Sequence, residues 1–535
     1  MARQHWLIAA ALTVGVTLRA IVMAGFGPAA LFKLDTYDYL WDAAHLQPNP
    51  VNPSGYAVFL WLFKPFHSLL LVASLQHLMG LAIGVMIYAI LRSWGAGPWL
   101  ATAAAGPVLF DPAQLLLEQY VMADILALFL MMAGFAVLLT RRFPSAARAA
   151  TGTLLLGLSA VVRPATLVLI GLVACYLLVR RTGWRTAAAA LAAGLLPIAG
   201  YVAWFASVSG SVGLTNSDGL FLWSRTMSFA NCAVIKPPAD LRDLCPGRQP
   251  YTILYPQSAT RMLPRQYLWD HRAWLWLPAG TRVSPRTILA SDRSLRAVDG
   301  AERMSLGAHQ LLSMAQAVRA PDRAPVVAAT PAVGLQGAGP GGIVPDVAGF
   351  TQANNARARD FAIRAIEAQP LNYAWVIVTE VSRAFYHSDQ LHFPGTQPPS
   401  VQLSPSTSNY MLAAVRAYTG STEDFAPYLA NRTATRLQQP YAGLISRYQD
   451  HIHLPGPLFA LIMLAGLAGV IIRRTRTAAG AMLWVSAVIL MVLPVAEHEY
   501  TYRYAVPAIP LACLAAALAL RRRRAPAQPA EPAAS

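Results

Sequence analysis

Negative charge is what this chain has least of. Only 25 of its 535 residues are Asp or Glu, and charged residues of both signs reach just 13%, whereas 56% are hydrophobic. A soluble domain carries about 25% charged residues, so the composition excludes an ordinary soluble enzyme and makes lipid the solvent for much of the fold. Cysteine is scarce too, at four residues, which excludes a disulfide-stapled scaffold and leaves a zinc site short of ligands. No internal repeat is visible, which excludes a solenoid and removes the repeated halves that many transporters show.

Long apolar runs are what the chain has in their place. Crossing the hydrocarbon core takes about 20 apolar residues, and such runs lie at roughly 6–26, 68–91, 97–110, 115–139, 149–162, 164–179, 186–208, 456–472, 478–495 and 505–520. They predict a polytopic α-helical membrane protein with about ten transmembrane helices. The opening run contains Arg19 and lacks a small-residue cleavage site, so it reads as a retained signal anchor.

Lys and Arg number 42, for a formal charge of +17, and their placement gives them their meaning. Arg92, Arg141-Arg142-Arg148, Arg180-Arg181-Arg185, Arg473-Arg474-Arg476 and Arg521 to Arg524 all fall on one side when ten crossings are counted, in short loops without acids. That is the positive-inside pattern, so nucleic acid is not needed to explain the basic balance. It predicts a multi-pass plasma-membrane protein with both termini cytoplasmic. Residues 1–208 form an N-terminal transmembrane module whose first external loop is 27–67, residues 456–520 hold the last three spans, and 521–535 is a basic, Pro- and Ala-rich tail.

The stretch 209–455 is then extracytoplasmic, between spans seven and eight. It mixes helix-like segments such as RARDFAIRAIEA with Pro- and Gly-rich runs such as AGPGGIVPDVAGF, so an α/β or mixed domain is expected. Cys232 and Cys245 lie close together in this oxidising setting and are expected to form a disulfide stabilising by about 3 kcal/mol.

An acid at the centre of a membrane helix costs about 2.5–3.5 kcal/mol on insertion scales, so each one asks for a reason. Glu118 and Asp124 share the run LLLEQYVMADILALF, where a six-residue spacing sets them about 120° apart around a helix. They are expected to border one cavity rather than to form a strict dyad. Asp35 and Asp38 in LDTYDYLW, Arg163 before Pro164, and Glu497, His498, Glu499, Tyr502 and Arg503 in AEHEYTYRYAVPAIP all fall at the external boundary.

Acids, arginines and lipid at one boundary suit a lipid-linked phosphosugar. Its polyprenyl tail stays in the bilayer, its phosphate pairs with Arg, and a carboxylate takes the proton of an acceptor hydroxyl. Phosphate is already a stabilised leaving group, so inverting transfer needs one base and cationic help. Asp35 is the candidate base. Plainer roles stay open for the same residues: a helix cap for Asp35, a solvated loop acid for Asp38, snorkelling for Glu118, an interfacial anchor for Arg163 and a surface position for His498.

The order of these features resembles the GT-C glycosyltransferases, in particular the protein O-mannosyltransferase and aminoarabinose transferase branch. The likeness rests on LDTYDYLW after the first span, NPVNPSGYAVFLWLF, EQYVMADILALFLMMAG in the fourth span, LSAVVRPATLVLI, and YRYAVPAIPLACL at the last span. It covers roughly 1–208 and 456–520. It implies a GT-C-like fold, a polyprenyl-phosphate sugar donor, a glycan, lipid or protein acceptor in the cell envelope, and no certain cofactor. Asp35 resembles the catalytic acid, Asp124 a second, deeper acid, and Arg163 and Arg503 the phosphate-side cations. Glu118, His498 and Tyr502 join them as expected substrate-binding residues, and Asp38 as a further catalytic candidate. A divalent metal at Asp35 and Asp38 is left open, because some enzymes of this fold use one. The O-mannosyltransferases carry an Asp-Glu pair where Thr36 follows Asp35 here, and 209–455 resembles none of their external modules. The alternative from another class is a transporter or flippase of a lipid-linked or small substrate. A non-catalytic scaffold would leave the acids of the fourth span unexplained.

Overall fold

The computed structural model describes residues 5–141, 143–246, 264, 268, 350–386, 436–472, 475 and 477–521. Arg142, Arg473, Arg474, Arg476, Arg522 to Arg524, the rest of the tail and most of the expected external domain lie outside the described residues. The protein is a helical membrane protein. Among the described residues, five helices are long and apolar enough to cross a bilayer, or seven spans if two bent pairs each count as one.

Four of the five long helices are α1 (Trp6–Gly25), α4 (Leu69–Ser93), α10 (Trp184–Ser209) and α17 (Ala478–Glu497). The fifth joins α18 (Tyr502–Ala505) to α19 (Ala508–Leu520). The bent pairs are α5 (Pro98–Phe110) with α6 (Pro112–Gln119), at 51°, and α15 (Tyr441–His451) with α16 (Gly456–Ile471), at 59°. Three shorter apolar helices are α7 (Ala123–Leu139), α8 (Ala146–Val162) and α9 (Leu167–Val179). The last helix, α19, runs through the interior with buried side chains on every face, as a helix apolar all round must.

Small residues let the helices close on one another, the usual device where lipid removes the hydrophobic drive between them. Where α7 crosses α8, a Cβ on Gly134 would lie 2.7 Å from the Gly152 carbonyl oxygen. Only glycine fits there.

Contacts at the helix ends sort the bundle into two poles. Trp94, just after α4, donates its indole N–H to the Leu139 carbonyl (2.6 Å) and lies 5.2 Å beneath the Arg521 guanidinium. Arg148 donates to the Val137 carbonyl and to Thr140, and Arg180 covers the Phe143 ring at 4.5 Å. These arginines therefore gather at one pole, while the opposite end of α7 carries Asp124.

Two expectations change. The run 115–139 is not one helix: it breaks at residues 120–122, leaving Glu118 on α6 and Asp124 on α7. No proline or glycine marks the break, but tertiary hydrogen bonds hold it open. The Gln76 amide donates to the carbonyls of Glu118 (2.9 Å) and Tyr120 (2.7 Å), and Ala30 pairs with this strand-like segment on both sides. The stretch LDTYDYLW is also no loop. It lies within α2 (Lys33–His45), which packs against α3 (Gly55–Phe63) through buried Tyr39, Leu40, Tyr56 and Leu60.

The regular structure in the described part of 209–455 is helical apart from one two-residue strand. Helices α11 (Asp218–Thr226), α12 (Cys232–Ile235), α13 (Gln352–Ala368) and α14 (Pro370–Tyr386) share an apolar cluster that includes Trp223, Leu244 and Phe361 or lie beside it. Cys232 and Cys245 are bonded to each other. Strand β2 (Arg436–Leu437) pairs antiparallel with β1 (Phe26–Gly27), so the chain returns beside the end of α1. There the Leu454 amide donates to Asp111 Oδ2 (2.8 Å), and the Tyr448 hydroxyl to the Phe110 carbonyl (2.7 Å).

Candidate functional site

Two helix starts create the site. Asp35 lies in the first turn of α2 and Asp124 in the first turn of α7, where the unpaired N–H groups and the helix dipole favour a carboxylate. The strand-like segment after β1 aligns them: the Ala30 amide donates to the Gln119 carbonyl and the Val121 amide to the Ala30 carbonyl, each at 2.9 Å. Thr36 completes the alignment. Its hydroxyl accepts from the Phe32 amide (2.7 Å) and donates to the Val121 carbonyl (3.0 Å), fastening α2 to the helix break that presents Asp124. Thr36 is thus a structural fastener.

Arginines from two other segments close the cluster. Arg163 ends α8 in an extended conformation, as the residue before a proline should, and its Nη2 donates to Asp124 Oδ2 at 2.7 Å. Arg503, in α18, reaches both acids: Nη1 donates to Asp35 Oδ2 at 3.0 Å, and Nε faces Asp124 Oδ1 at 3.3 Å without hydrogen-bond alignment. Its guanidinium lies 5.0 Å from the Phe32 ring centre and 5.5 Å from that of Tyr504.

Two carboxylates and two guanidiniums balance in charge, which is what a buried ionic cluster requires. The pairs differ in access. The side chains of Asp35 and Arg163 are 30% and 21% exposed, whereas Asp124 and Arg503 lie behind them, buried. One acid and one cation therefore form the reachable rim, and one of each forms the support.

Tyrosines complete the surroundings. Tyr39, one turn along α2 from Asp35, lies within electrostatic reach of all four charged groups, and burial pushes its hydroxyl well above the ordinary tyrosine range. It stays a donor. Tyr504 is reached by the same four charges. Sequence reading passed over both, although Tyr39 is four residues from Asp35 and Tyr504 adjoins Arg503.

The other candidate residues are placed elsewhere. Asp38 is buried on α2, one turn beyond Asp35. Glu118 is fully buried and accepts from Arg19 Nη2 (2.7 Å) and Gln114 (2.9 Å) while meeting His77 Nδ1 at 2.8 Å. The other His77 nitrogen meets Gln119 Oε1 at 2.8 Å, and the Gln119 amide N–H in turn goes to the Phe26 carbonyl. This network fastens α1, α4 and α6 together behind the break. Arg19 and His77 give Glu118 its partners, and nothing in their local sequence announces the trio.

His498 turns away from the cluster. Its Nδ1 lies 3.1 Å from the Ser224 hydroxyl, and its ring meets Phe221 edge-on. Tyr502 packs with Ala113, Leu117, Ile125 and Val506. Among the described residues, no group of three or more His, Cys, Asp or Glu comes together in a way that would hold a metal ion.

Arg503 is itself held from outside. The Glu380 carboxylate, on α14, accepts from the Tyr500 amide (2.8 Å) and lies 3.3 Å from buried Arg225 on α11, and the Tyr373 hydroxyl donates to the Ala496 carbonyl (2.9 Å). The turn 496–501 thus ties α11 and α14 to the segment that carries Arg503. Comparison of the chain with protein-family models, with curated proteins and with solved structures finds no match.

Proposed function

We propose that the protein is an integral membrane glycosyltransferase that moves a sugar from a polyprenyl-phosphate donor to an extracytoplasmic acceptor, with inversion and with Asp35 as general base. The observation that carries this reading is the Asp35–Arg503–Asp124–Arg163 cluster at the pole opposite the arginine-rich helix ends. Asp35 and Arg163 on the rim are the acid and the cation that the transfer needs within reach of substrate.

Donor phosphate pairs with Arg163 and with the Arg503 guanidinium, which gains a third anion beside Asp35 and Asp124 and loosens its hold on Asp35. The freed carboxylate takes the proton of the acceptor hydroxyl as the acceptor oxygen attacks C1 of the sugar from the face opposite the phosphate. The C1–O bond to phosphate breaks, its electron pair leaves with polyprenyl phosphate, and the two arginines stabilise the charge that develops there. Asp124 keeps both arginines in place throughout. Tyr39 supplies a neutral donor beside them.

The same reading takes ten crossings in a GT-C-like arrangement, with cytoplasmic termini and 209–455 outside the plasma membrane. Purified, reconstituted protein is tested with a panel of radiolabelled polyprenyl-phosphate sugars and a mixture of envelope acceptors. Release of polyprenyl phosphate together with labelled product is expected. Passage of intact donor across the vesicle wall, with no cleavage of any donor, contradicts the reading and points to a flippase.

A further inference from the structure

Helix α14 is built the wrong way round for water. It turns Glu380 and Tyr373 inward: Glu380 meets buried Arg225 and the Tyr500 amide, and the Tyr373 hydroxyl meets the Ala496 carbonyl. Three large apolar groups point outward: Leu371 is 82% exposed, Trp375 69% and Val378 60%. Spacings of four and three residues stack these side chains along one face. A helix bathed in water does the reverse, hiding large apolar groups and leaving carboxylates in solvent.

The surroundings say what covers that face. The C-terminal end of α14 docks on the start of α16, with the Phe385 and Phe459 ring centres 5.6 Å apart and the Phe385 backbone pressed against Gly456. Helix α16 is an apolar helix whose Leu458, Leu461 and Leu464 are exposed. In a membrane protein such a wall of leucines faces acyl chains, and α14 meets the head of that helix through Phe385. Trp375 suits a position at the boundary between headgroups and hydrocarbon.

We propose that α14 lies in the membrane, with Leu371, Trp375 and Val378 seated in the lipid at the headgroup boundary and Glu380 turned into the protein. The partner is the bilayer itself. A segment expected in the aqueous domain is therefore a membrane-lying helix, and through Glu380 it supports the Tyr500 backbone three residues before Arg503. This inference is independent of the proposed reaction.

Spin labels on single cysteines test it in the full-length protein, reconstituted in phosphatidylcholine vesicles. The background carries Cys175→Ala, since Cys513 is buried and Cys232 and Cys245 are bonded to each other. Labels at Leu371→Cys, Trp375→Cys and Val378→Cys are compared with a lipid-facing control, Leu461→Cys, and a water-facing control, Arg364→Cys on α13. Relaxation is read with oxygen, which concentrates in lipid, and with a water-soluble nickel chelate. The three α14 labels are expected to match Leu461→Cys, with oxygen favoured several-fold over the chelate. Relaxation like that of Arg364→Cys at Trp375→Cys or Val378→Cys overturns the proposal, because water then covers the face. Exclusion of both reagents also overturns it, because another protein segment or a second copy then covers it.

Discussion

Arg503 and Asp35 lie 468 residues apart in the chain and 3.0 Å apart in space. The same guanidinium faces Asp124 at 3.3 Å, so one side chain from α18 spans the starts of α2 and α7. A planar guanidinium presents its donors along two edges in a fixed geometry, which the compact lysine ammonium does not reproduce. Arg503→Lys is therefore expected to lose most transfer activity despite keeping its charge. Sugar transfer by the purified variant checks this, and near-normal activity would show that the fork geometry is unimportant.

Arg163 is the reachable cation. Arg163→Ala is expected to weaken donor binding by about 1.5–3 kcal/mol, the usual range for a hydrogen bond to a charged group, or roughly 10- to 150-fold in affinity. Equilibrium binding of a non-transferable polyprenyl-phosphate analogue measures it. An unchanged dissociation constant would assign Arg163 to supporting Asp124 alone.

Thr36 fastens α2 to the break between α6 and α7. Thr36→Val keeps the shape but leaves the buried Val121 carbonyl and Phe32 amide without a partner, at about 1–3 kcal/mol. Lower thermal stability and reduced transfer are expected together, and Thr36→Ser is expected to restore both. A Thr36→Ser protein as impaired as Thr36→Val would show that the hydroxyl alone does not account for the role.

Glu380 pairs with buried Arg225, and breaking such a pair from one side costs about 3–5 kcal/mol because a charge is left uncompensated. Glu380→Gln is expected to lower the thermal midpoint, whereas Arg225→Met combined with Glu380→Leu regains much of the loss. A double variant no more stable than Glu380→Gln would contradict this account of the pair.

Asp42, on α2, gives the fold a pH dependence. It is buried, one oxygen accepts from Asn49 (3.2 Å) and the other has no partner, and burial raises its carboxyl well above the ordinary range. A folded-state value above the unfolded one, which lies near 3.9, means that the stabilising contribution is complete below the unfolded value. It is lost as pH rises through the folded value. The stability of Asp42→Asn relative to the parent is therefore expected to increase from pH 4 upward. Thermal midpoints across that range check it, and a pH-independent difference would contradict it.

Much of this architecture can be read from residues alone. The scarcity of charge and the apolar runs announce a helical membrane protein, and Asp35, Asp124, Arg163 and Arg503 stand out as costly charges at helix ends. The helix break at 120–122 is not legible, because the Gln76 and Ala30 contacts that hold it come from distant segments. Glu118 looked like a cavity acid for the same reason: Arg19 and His77 are 99 and 41 residues away. The outward grease of α14 was hidden as well, since amphipathic spacing reveals a face without saying which side packs against the protein. Only the Arg225 and Tyr500 contacts to Glu380 settle that.

The central claim is that Asp35 takes the acceptor proton. Asp35→Asn keeps the side-chain shape and removes the base, so transfer of labelled sugar from a lipid-linked donor is expected to fall by about 10²- to 10⁴-fold. Donor binding, measured separately, is expected to persist, since Arg163 and Arg503 remain. A fully active Asp35→Asn enzyme would contradict the account and move the search to Asp38 and Asp124.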